Sequence, residues 1–424
     1  MRMQRRSSGF RTGSRRVLVV AMVLVLLSAM APPLALGAPS PSWTAQPSGT
    51  SNGLNGVSFS DANTGCIVGT GGLILRTANG GTSWTTLNAG TELGYQHRSV
   101  DFGSTTTGYA VGDGGRILKT SDGGATWTPQ ASGTGSNLFS VHFVSATTGW
   151  VVGAGGTIRK TSTGGTSWTA QDPGVPEPLY SVHFFDANTG WAVGAGGTIR
   201  KTSNGGTTWT PQASGKTTYL MSVHAESATT AWIVGGAGTV LKTTNGGTSW
   251  VAQTPGTTVD LNAVHFIDAN TGWLVGNTGT IRKTIDGGTT WTHQNSGTSV
   301  GLSALDFVDA SNGWAVGSSG AIRKVLPTIP VYRFYNKKSG AHFYTASEAE
   351  KNNVVATLSS IYNLEGVAYS VNPVNPANSV PLYRFYNVKK GVHFYTASEA
   401  EKNDVLAHLA ATYKLEGVGF YIGN

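Results

Sequence analysis

Six tryptophans, Trp84, Trp127, Trp168, Trp209, Trp250 and Trp291, each close a run of the form Gly-Gly-x-[Ser/Thr]-Trp, with successive gaps of 43, 41, 41, 41 and 41 residues. A period of about 40 to 45 residues holding several short strands is that of propeller blades. One such unit cannot bury both of its faces and must stack on its neighbours. The repeat therefore points to a ring of like units, with function on its surfaces rather than in a cleft.

Within the fourth unit, β-like runs cover residues 179–185, 190–194, 198–202 and 208–212, separated by turns at 186–189, 195–197 and 204–207. Apolar and β-branched runs bounded by Gly, Asn and Asp predict strands joined by hairpins, hence a four-stranded antiparallel blade. First strands start near Leu54, His97, Leu138, Leu179, Leu220, Leu261 and Leu302, but the seventh unit stops at Val325 without a fourth-strand Trp. The segment Ser42-Trp43-Thr-Ala-Gln46 has the fourth-strand pattern and places Trp43 41 residues before Trp84. The prediction is a mainly β chain: a seven-bladed β-propeller over residues 39–325, closed by an N-terminal strand that removes its free edges.

The turn Ser121-Asp-Gly-Gly-Ala-Thr-Trp127 resembles the Asp-box, the bacterial neuraminidase repeat. The string over residues 190–209, Gly-Trp-Ala-Val-Gly-x-Gly-Gly-Thr-Ile-Arg-Lys-Thr-x-Asn-Gly-Gly-Thr-Thr-Trp, resembles the photosystem II assembly and stability factor propellers of cyanobacteria and chloroplasts. The resemblance covers residues 42–325. It implies the propeller fold and, more weakly, an assembly-factor role, because propellers host unrelated activities. Asp122 and Asp286 keep the acid of the turn, while Asn79, Asn204, Asn245 and Thr163 replace it, as a turn accepting any short polar side chain allows.

Ahead of the ring, Arg2, Arg5, Arg6, Arg11, Arg15 and Arg16 precede the apolar run Val17–Met30, so residues 1–38 are predicted as a signal peptide, with an uncleaved anchor as the alternative. The protein is expected to be secreted or held at the cell surface, touching membrane only if that segment stays uncleaved. Those six arginines account for most of the formal net charge of +8, and a nucleic-acid partner is not expected once they are set aside. Cys66, the single cysteine, aligns with Tyr109, Trp150, Trp191, Trp232, Trp273 and Trp314 and is expected to fill a core slot.

Arg76, Lys119, Lys160, Lys201, Lys242, Lys283 and Lys324 share one third-strand position, and Arg159, Arg200, Arg282 and Arg323 adjoin four of them. They are expected to stud one rim together with Asp61, Asp186, Asp268 and Asp309. That rim is read either as salt-bridged solvated turns or as a surface for an anionic partner, the latter by analogy with the arginine patch of the family it resembles. Ser58, Asp101, His142, His183, His224, His265 and Asp306 share a first-strand position near the axis. They are expected to lie too far apart to hold a metal and to hydrogen-bond neighbouring blades. No metal or cofactor is expected.

A sialidase-type hydrolase would need an arginine cluster, a Tyr nucleophile with a Glu partner, and an acid on the face opposite the Gly-Gly turns. Glu92, Tyr95, His97, Arg98, Glu177, Tyr180, Lys216 and Tyr219 are the candidates there and do not form that set, so the expectation is a non-enzyme with the glycoside hydrolase as its alternative.

After a linker at 326–330 the composition changes. All 12 Trp lie at 43–314, whereas ten of the 14 Tyr lie beyond residue 331. Residues 331–424 are a duplication: Tyr332-Arg-Phe-Tyr-Asn, His342-Phe-Tyr-Thr-Ala-Ser and Leu364-Glu-Gly-Val recur 51 residues later. Each copy is predicted as strand, turn, strand, helix, strand, with capping-box pairs Ser347/Glu350 and Ser398/Glu401, giving a small duplicated α+β domain. It resembles a repeat of unassigned function in secreted bacterial proteins, which implies surface attachment. Arg333, Tyr335, His342, Tyr344 and their copies Arg384, Tyr386, His393 and Tyr395 form either a glycan-binding surface or, with Phe334 and Phe343, a core. The whole is expected to be a monomeric scaffold whose propeller presents an interaction surface and whose C-terminal module tethers it to cell wall or glycan, with a protein or a cell-wall or surface glycan as partner.

Overall fold

The computed structural model describes residues 43–87, 94–325, 329–371 and 379–423; the predicted signal peptide, Ser42, Glu92 and residues 326–328 of the linker lie outside them. Two compact units are present, Ser40–Pro327 and Thr328–Asn424.

The first unit is a β-propeller of four-stranded antiparallel sheets, seven among the described residues. The fourth is representative: Leu179–Phe184, Gly190–Gly194, Ile199–Thr202 and Thr210–Gln212 pair in sequence order. Three strands of the seventh sheet come from residues 302–325, and its fourth place is taken by Trp43–Gln46, with Trp43 opposite Val325 and Gln46 opposite Ile322. The first strand of each sheet lies against that of the next, and Leu302–Asp309 lies against Leu54–Phe59.

The seams between sheets follow one rule, because a strand's alternation sends successive side chains to opposite faces. In five seams the second-strand aromatic of one sheet stacks on the first-strand Phe of the next, and at the seam of Trp191 that Phe is replaced by Ala225. Trp150 lies on Phe184 with ring centroids 3.5 Å apart, and Trp314 lies on Phe59 at 3.4 Å. That Phe in turn meets the edge of its own fourth-strand Trp, as Phe184 meets Trp209 at 5.8 Å. The second-strand aromatics are fully buried, and such pairs contribute about 0.5–1.5 kcal/mol beyond the area they bury. Cys66 stands in this slot, fully buried, and its burial pushes the thiol up to about 12.

The turn after the third strand is fixed from within. Thr202 Oγ1 donates to Asn204 Oδ1 and accepts from Gly206 N–H, while Asn204 Oδ1 accepts from Thr208 N–H. At Gly206 the backbone is left-handed, with φ +86°, and a Cβ there would fall 2.0 Å from Gln171 Oε1 of the preceding sheet. Where the turn carries Asp122, the Thr126 hydroxyl and amide hold the carboxylate at about 2.

The second unit holds two three-stranded sheets, each followed through the same order of elements. In the first, Ile329–Asn336 is flanked by His342–Thr345 and Tyr362–Val371. In the second, Ser379–Asn387 is flanked by Val392–Thr396 and Tyr413–Gly423. Helices Glu348–Thr357 and Glu399–His408 begin at N-caps Ser347 and Ser398, whose hydroxyls accept from Glu350 and Glu401 N–H. The predicted capping box is only half formed. Ser347 N–H is taken by Thr345 Oγ1, and the Glu350 carboxylate turns instead to Arg384.

Candidate functional site

The third-strand cations are clasps between sheets. Lys201 sits opposite Trp191 in register, its ammonium 4.8 Å from that ring, and donates to Gly246 O of the next sheet's turn at 2.8 Å. Lys119, Lys160, Lys242 and Lys324 do the same to Gly164, Gly205, Gly287 and Gly80, and Arg76 Nε donates to Gly123 O. Lys283 lies 5.0 Å over Trp273, with no turn carbonyl as partner among the described residues. Partial burial lowers the Lys160, Lys201, Lys242, Lys283 and Lys324 values.

The neighbouring arginines do not stand beside them. Strand alternation sends them to the opposite face, where Arg159, Arg282 and Arg323 donate to Gly133, Gly256 and Gly297 carbonyls; Arg200 holds the same place in register. Asp186 accepts from Asn188 and Thr189 N–H in its own turn, as Asp61, Asp268 and Asp309 do in theirs. No ion pair joins these acids to the lysines among the described residues. The third-strand cations are thus engaged with carbonyls, and the acids with amides of their own turns.

The axial polar belt is also closer than expected. Ring centroids of His142 and His183, His183 and His224, and His224 and His265 are 4.1, 4.6 and 5.0 Å apart. The innermost strands converge there; His142 and His183 stack, and the other two pairs meet at a tilt, 38° and 43°. Five of the positions bond to the next sheet's first strand: Asp101 accepts from Phe143 N–H, His183 from Ala225 N–H, Asp306 from Phe59 N–H and Ser58 from Phe102 N–H, and His142 Nε2 meets Phe184 O. Burial lowers His183, His224 and His265 and raises Asp306 to about 7. Among the described residues, no group of three or more His, Cys, Asp or Glu side chains is placed to hold a metal ion.

The opposite mouth of the ring shows a different pattern. In every sheet the first strand carries a register shift between its first and third residues, leaving the second out of the ladder. Such bulges re-aim side chains. The bulged residues are Asn55, Arg98, Phe139, Tyr180, Met221, Asn262 and Ser303, all half-buried. Flanking positions repeat from unit to unit, whereas this one takes six residue types in seven units.

Asn55 and Asn262 seal the next strand by donating to His97 O and Leu302 O. Between them runs an apolar arc: the Arg98 guanidinium lies 5.2 Å from the Phe139 centroid, Phe139 lies 5.8 Å from Tyr180, and Met221 follows. Asp113 holds Arg98 through Nε at 2.6 Å. Exposed Tyr95, stacked under Arg116 at 3.6 Å, and Tyr219, donating to Asp260 at 2.6 Å, border the same mouth. His97 takes a leucine place and is fully buried; burial, then Arg116, pushes it down to about 4. Glu177 and Lys216 stand on loops of this face and make no ion pair among the described residues. Arg98, Tyr180, Tyr95 and Tyr219 were legible as candidates. Phe139 and Met221 were not, although comparing the second residue of each unit would have found them.

In the C-terminal unit, Arg333 Nε and His342 Nε2 converge on Glu365, at 2.7 and 3.2 Å; Arg384 Nε and His393 Nε2 converge on Glu416, at 2.8 and 3.1 Å. Tyr335 and Tyr386 lie beside those imidazoles at 5.4 and 5.2 Å. Tyr344 and Tyr395 meet between the two copies. The predicted eight residues are therefore brought together as two ion-pair groups and one contact between copies. Their glutamates lay unnoticed in the Leu-Glu-Gly-Val motif.

Residues 37–131 and 171–254 match the family model of the photosynthesis system II assembly factor YCF48, and residues 292–423 match that of a domain of unknown function, DUF5648. A solved structure titled as YCF48 bound to D1 peptide aligns with TM-score 0.58 and 20% identity, over 70% of this chain and 100% of that one. YCF48 from Cyanidioschyzon merolae aligns with TM-score 0.58 and 22% identity, over 67% and 98%. The WD40 propeller domain of Doa1 aligns equally well at 12% identity, over 68% and 96%, so these likenesses speak for fold. No curated protein matches by sequence.

Proposed function

We propose that this chain, whose propeller matches the assembly-factor model, is a non-catalytic protein-binding scaffold that grips an extended peptide at the mouth lined by Arg98, Phe139, Tyr180 and Met221. The carrying observation is that arc: a cation and three apolar side chains, half-buried and side by side, at the position where the repeat departs from itself. An apolar floor with one cation at its edge suits a segment with an aliphatic or aromatic side chain next to an acid or a C-terminal carboxylate. Support by analogy comes from the solved propeller of the same family, which is bound to a peptide. We read the ring as seven-bladed and closed by Trp43–Gln46, supported by the antiparallel pairing of that strand and by the Phe59–Asp306 bond across the seam.

Export on residues 1–38 and tethering through the C-terminal unit belong to the same proposal. They rest on the arginine-flanked apolar run and on the tyrosines beside the ion-pair groups. An assembly-factor-like role is the narrower form of it, favoured by the family match.

The test is selection of peptides from a random library on the purified protein, followed by calorimetry. Phe139→Ala with Tyr180→Ala is expected to weaken the selected peptides at least about tenfold, or 1.4 kcal/mol. Peptides that bind wild type and double variant alike would remove the mouth from the proposal. A pull-down of residues 329–423 on purified cell wall decides the tether, and absence of binding ends it.

A further inference from the structure

The seam between the first and second sheets breaks the repeat in two places. Its second-strand slot holds Cys66, so Phe102 has no second-strand ring to stack on. Phe102 is half-buried, and Trp127 stands 6.5 Å from it where Trp209 meets Phe184 at 5.8 Å. The second break is His97. It takes the place in which Leu138 packs on Tyr109, Val111 and Ile117 of the preceding sheet. The His97 side chain is fully buried, and neither ring nitrogen has a hydrogen-bond partner among the described residues. The first break removes the stacking contribution that holds neighbouring seams, and the second leaves a buried polar group that only water could satisfy. Across this seam run bonds from Asn55 Nδ2 to His97 O at 2.8 Å, from Phe102 N–H to Ser58 Oγ at 3.3 Å, and from Arg76 Nε to Gly123 O at 2.8 Å.

The elements packed against the strand of His97 bring the ring no acid partner. Leu54–Phe59 and Thr70–Gly72 carry no titratable side chain, Gly65–Gly69 carries Cys66, Gly108–Gly112 carries Tyr109, and Leu138–Phe143 carries His142. Its own strand carries Arg98 and Asp101. Asp113, which holds Arg98, and Arg116 follow Gly112.

We propose that this seam is an acid-sensitive latch: the first and second sheets part there as His97 takes up a proton, while the rest of the ring stays closed. The sense follows from the closed state. Burial, then the charge of Arg116, pushes His97 down to about 4, whereas a hydrated imidazole charges near 6.5. Opening therefore takes up a proton, and each fall in pH between those two values favours the open seam; below the lower value nothing further is gained. Asn55 and Arg98 stand on the two sides of this seam, so its opening parts the mouth at the cation end of the arc.

Cys66 is the single cysteine and lies fully buried in the seam. Its labelling by dithiodipyridine, divided by the rate of a cysteine peptide at the same pH, reads how often the seam opens. In the full chain that ratio is expected to rise about twentyfold to thirtyfold from about pH 7.5 to about pH 5, the factor set by a group that charges at 6.5 when open and at about 4 when closed. Near-ultraviolet circular dichroism should be the same at both pH values. His97→Leu, which installs the residue of the other six units, is expected to label more slowly and to lose the rise, whereas His183→Gln is expected to keep it. A ratio that does not change with pH would overturn the proposal. So would a rise that survives in His97→Leu, because labelling through unfolding of the whole ring draws its acid dependence from the axial imidazoles as well.

Discussion

Replacing Trp43 by Ala tests whether the N-terminal strand belongs to the ring. Trp43 is 5% exposed, stands opposite Val325, and meets Phe307 edge on at 5.8 Å in a cluster with Trp273, Val275 and Leu302. Truncating a buried Trp to Ala costs about 3–5 kcal/mol, including the cavity it leaves. For a unit of this size each kcal/mol shifts the melting temperature by about 2–4 °C, so a loss of roughly 6–20 °C is expected. Near-ultraviolet circular dichroism isolates the right transition, because all 12 tryptophans lie between residues 43 and 314. Thr44→Ala is the control: its hydroxyl makes one long bond, 3.4 Å, to Lys324 O, and its loss should cost under about 1 kcal/mol. A Trp43→Ala melt within about 1 °C of wild type would show that the strand contributes nothing, and the closed ring would have to be given up.

Lys201→Met keeps the apolar stem but removes the bond to Gly246 O and the contact with Trp191; a loss of about 1–3 kcal/mol is expected in urea titration, and an unchanged midpoint would refute the clasp. The axial imidazoles make the propeller sensitive to acid. Burial holds His183 and His265 well below 6.5, so as pH falls through that value the unfolded chain binds protons that the folded chain refuses, and stability falls. Asp306, held at about 7, acts in the opposite sense between about 7 and 4, but the lowered imidazoles outnumber the raised carboxyls of Asp101 and Asp306. His183→Gln should therefore reduce the loss of stability between pH 7 and pH 5 by about 2 kcal/mol, read from urea midpoints at the two pH values; the same pH dependence as wild type would count against this account. No turnover of sialosides or other common glycosides is expected from the purified propeller, and hydrolysis abolished by Tyr180→Phe or Tyr219→Phe would reverse that expectation.

What could be seen in the chain alone depended on whether a residue acts through periodicity or through its neighbours in space. The strands, their turns and the fourth-strand role of Trp43 follow from a 41-residue repeat that every unit restates. The function of Lys201 does not, because the carbonyl it binds is 45 residues away and a carbonyl has no sequence signature. Spacing around the axis was misjudged for His142 and His183, since the approach of innermost strands depends on sheet twist and number rather than residue type. The mouth arc was half visible. Tyr180 and Arg98 were noticed as polar or aromatic exceptions, while Phe139 and Met221 passed as ordinary strand residues because the bulge that turns them outward appears only in the pairing register. In the C-terminal unit, Glu350 was assigned to its own helix start, and its true partner, Arg384, lies in the other copy.

The clasps all run the same way, each sheet holding the turn of the one that follows, so a pull on one sheet is passed to the next through its turn. Lys324 of the last sheet grips Gly80 of the first in the same direction. Lys283 holds no turn carbonyl among the described residues and lies over Trp273 at 5.0 Å. Among the described residues the sixth and seventh sheets are joined by Trp273 on Phe307 and by their inner strands.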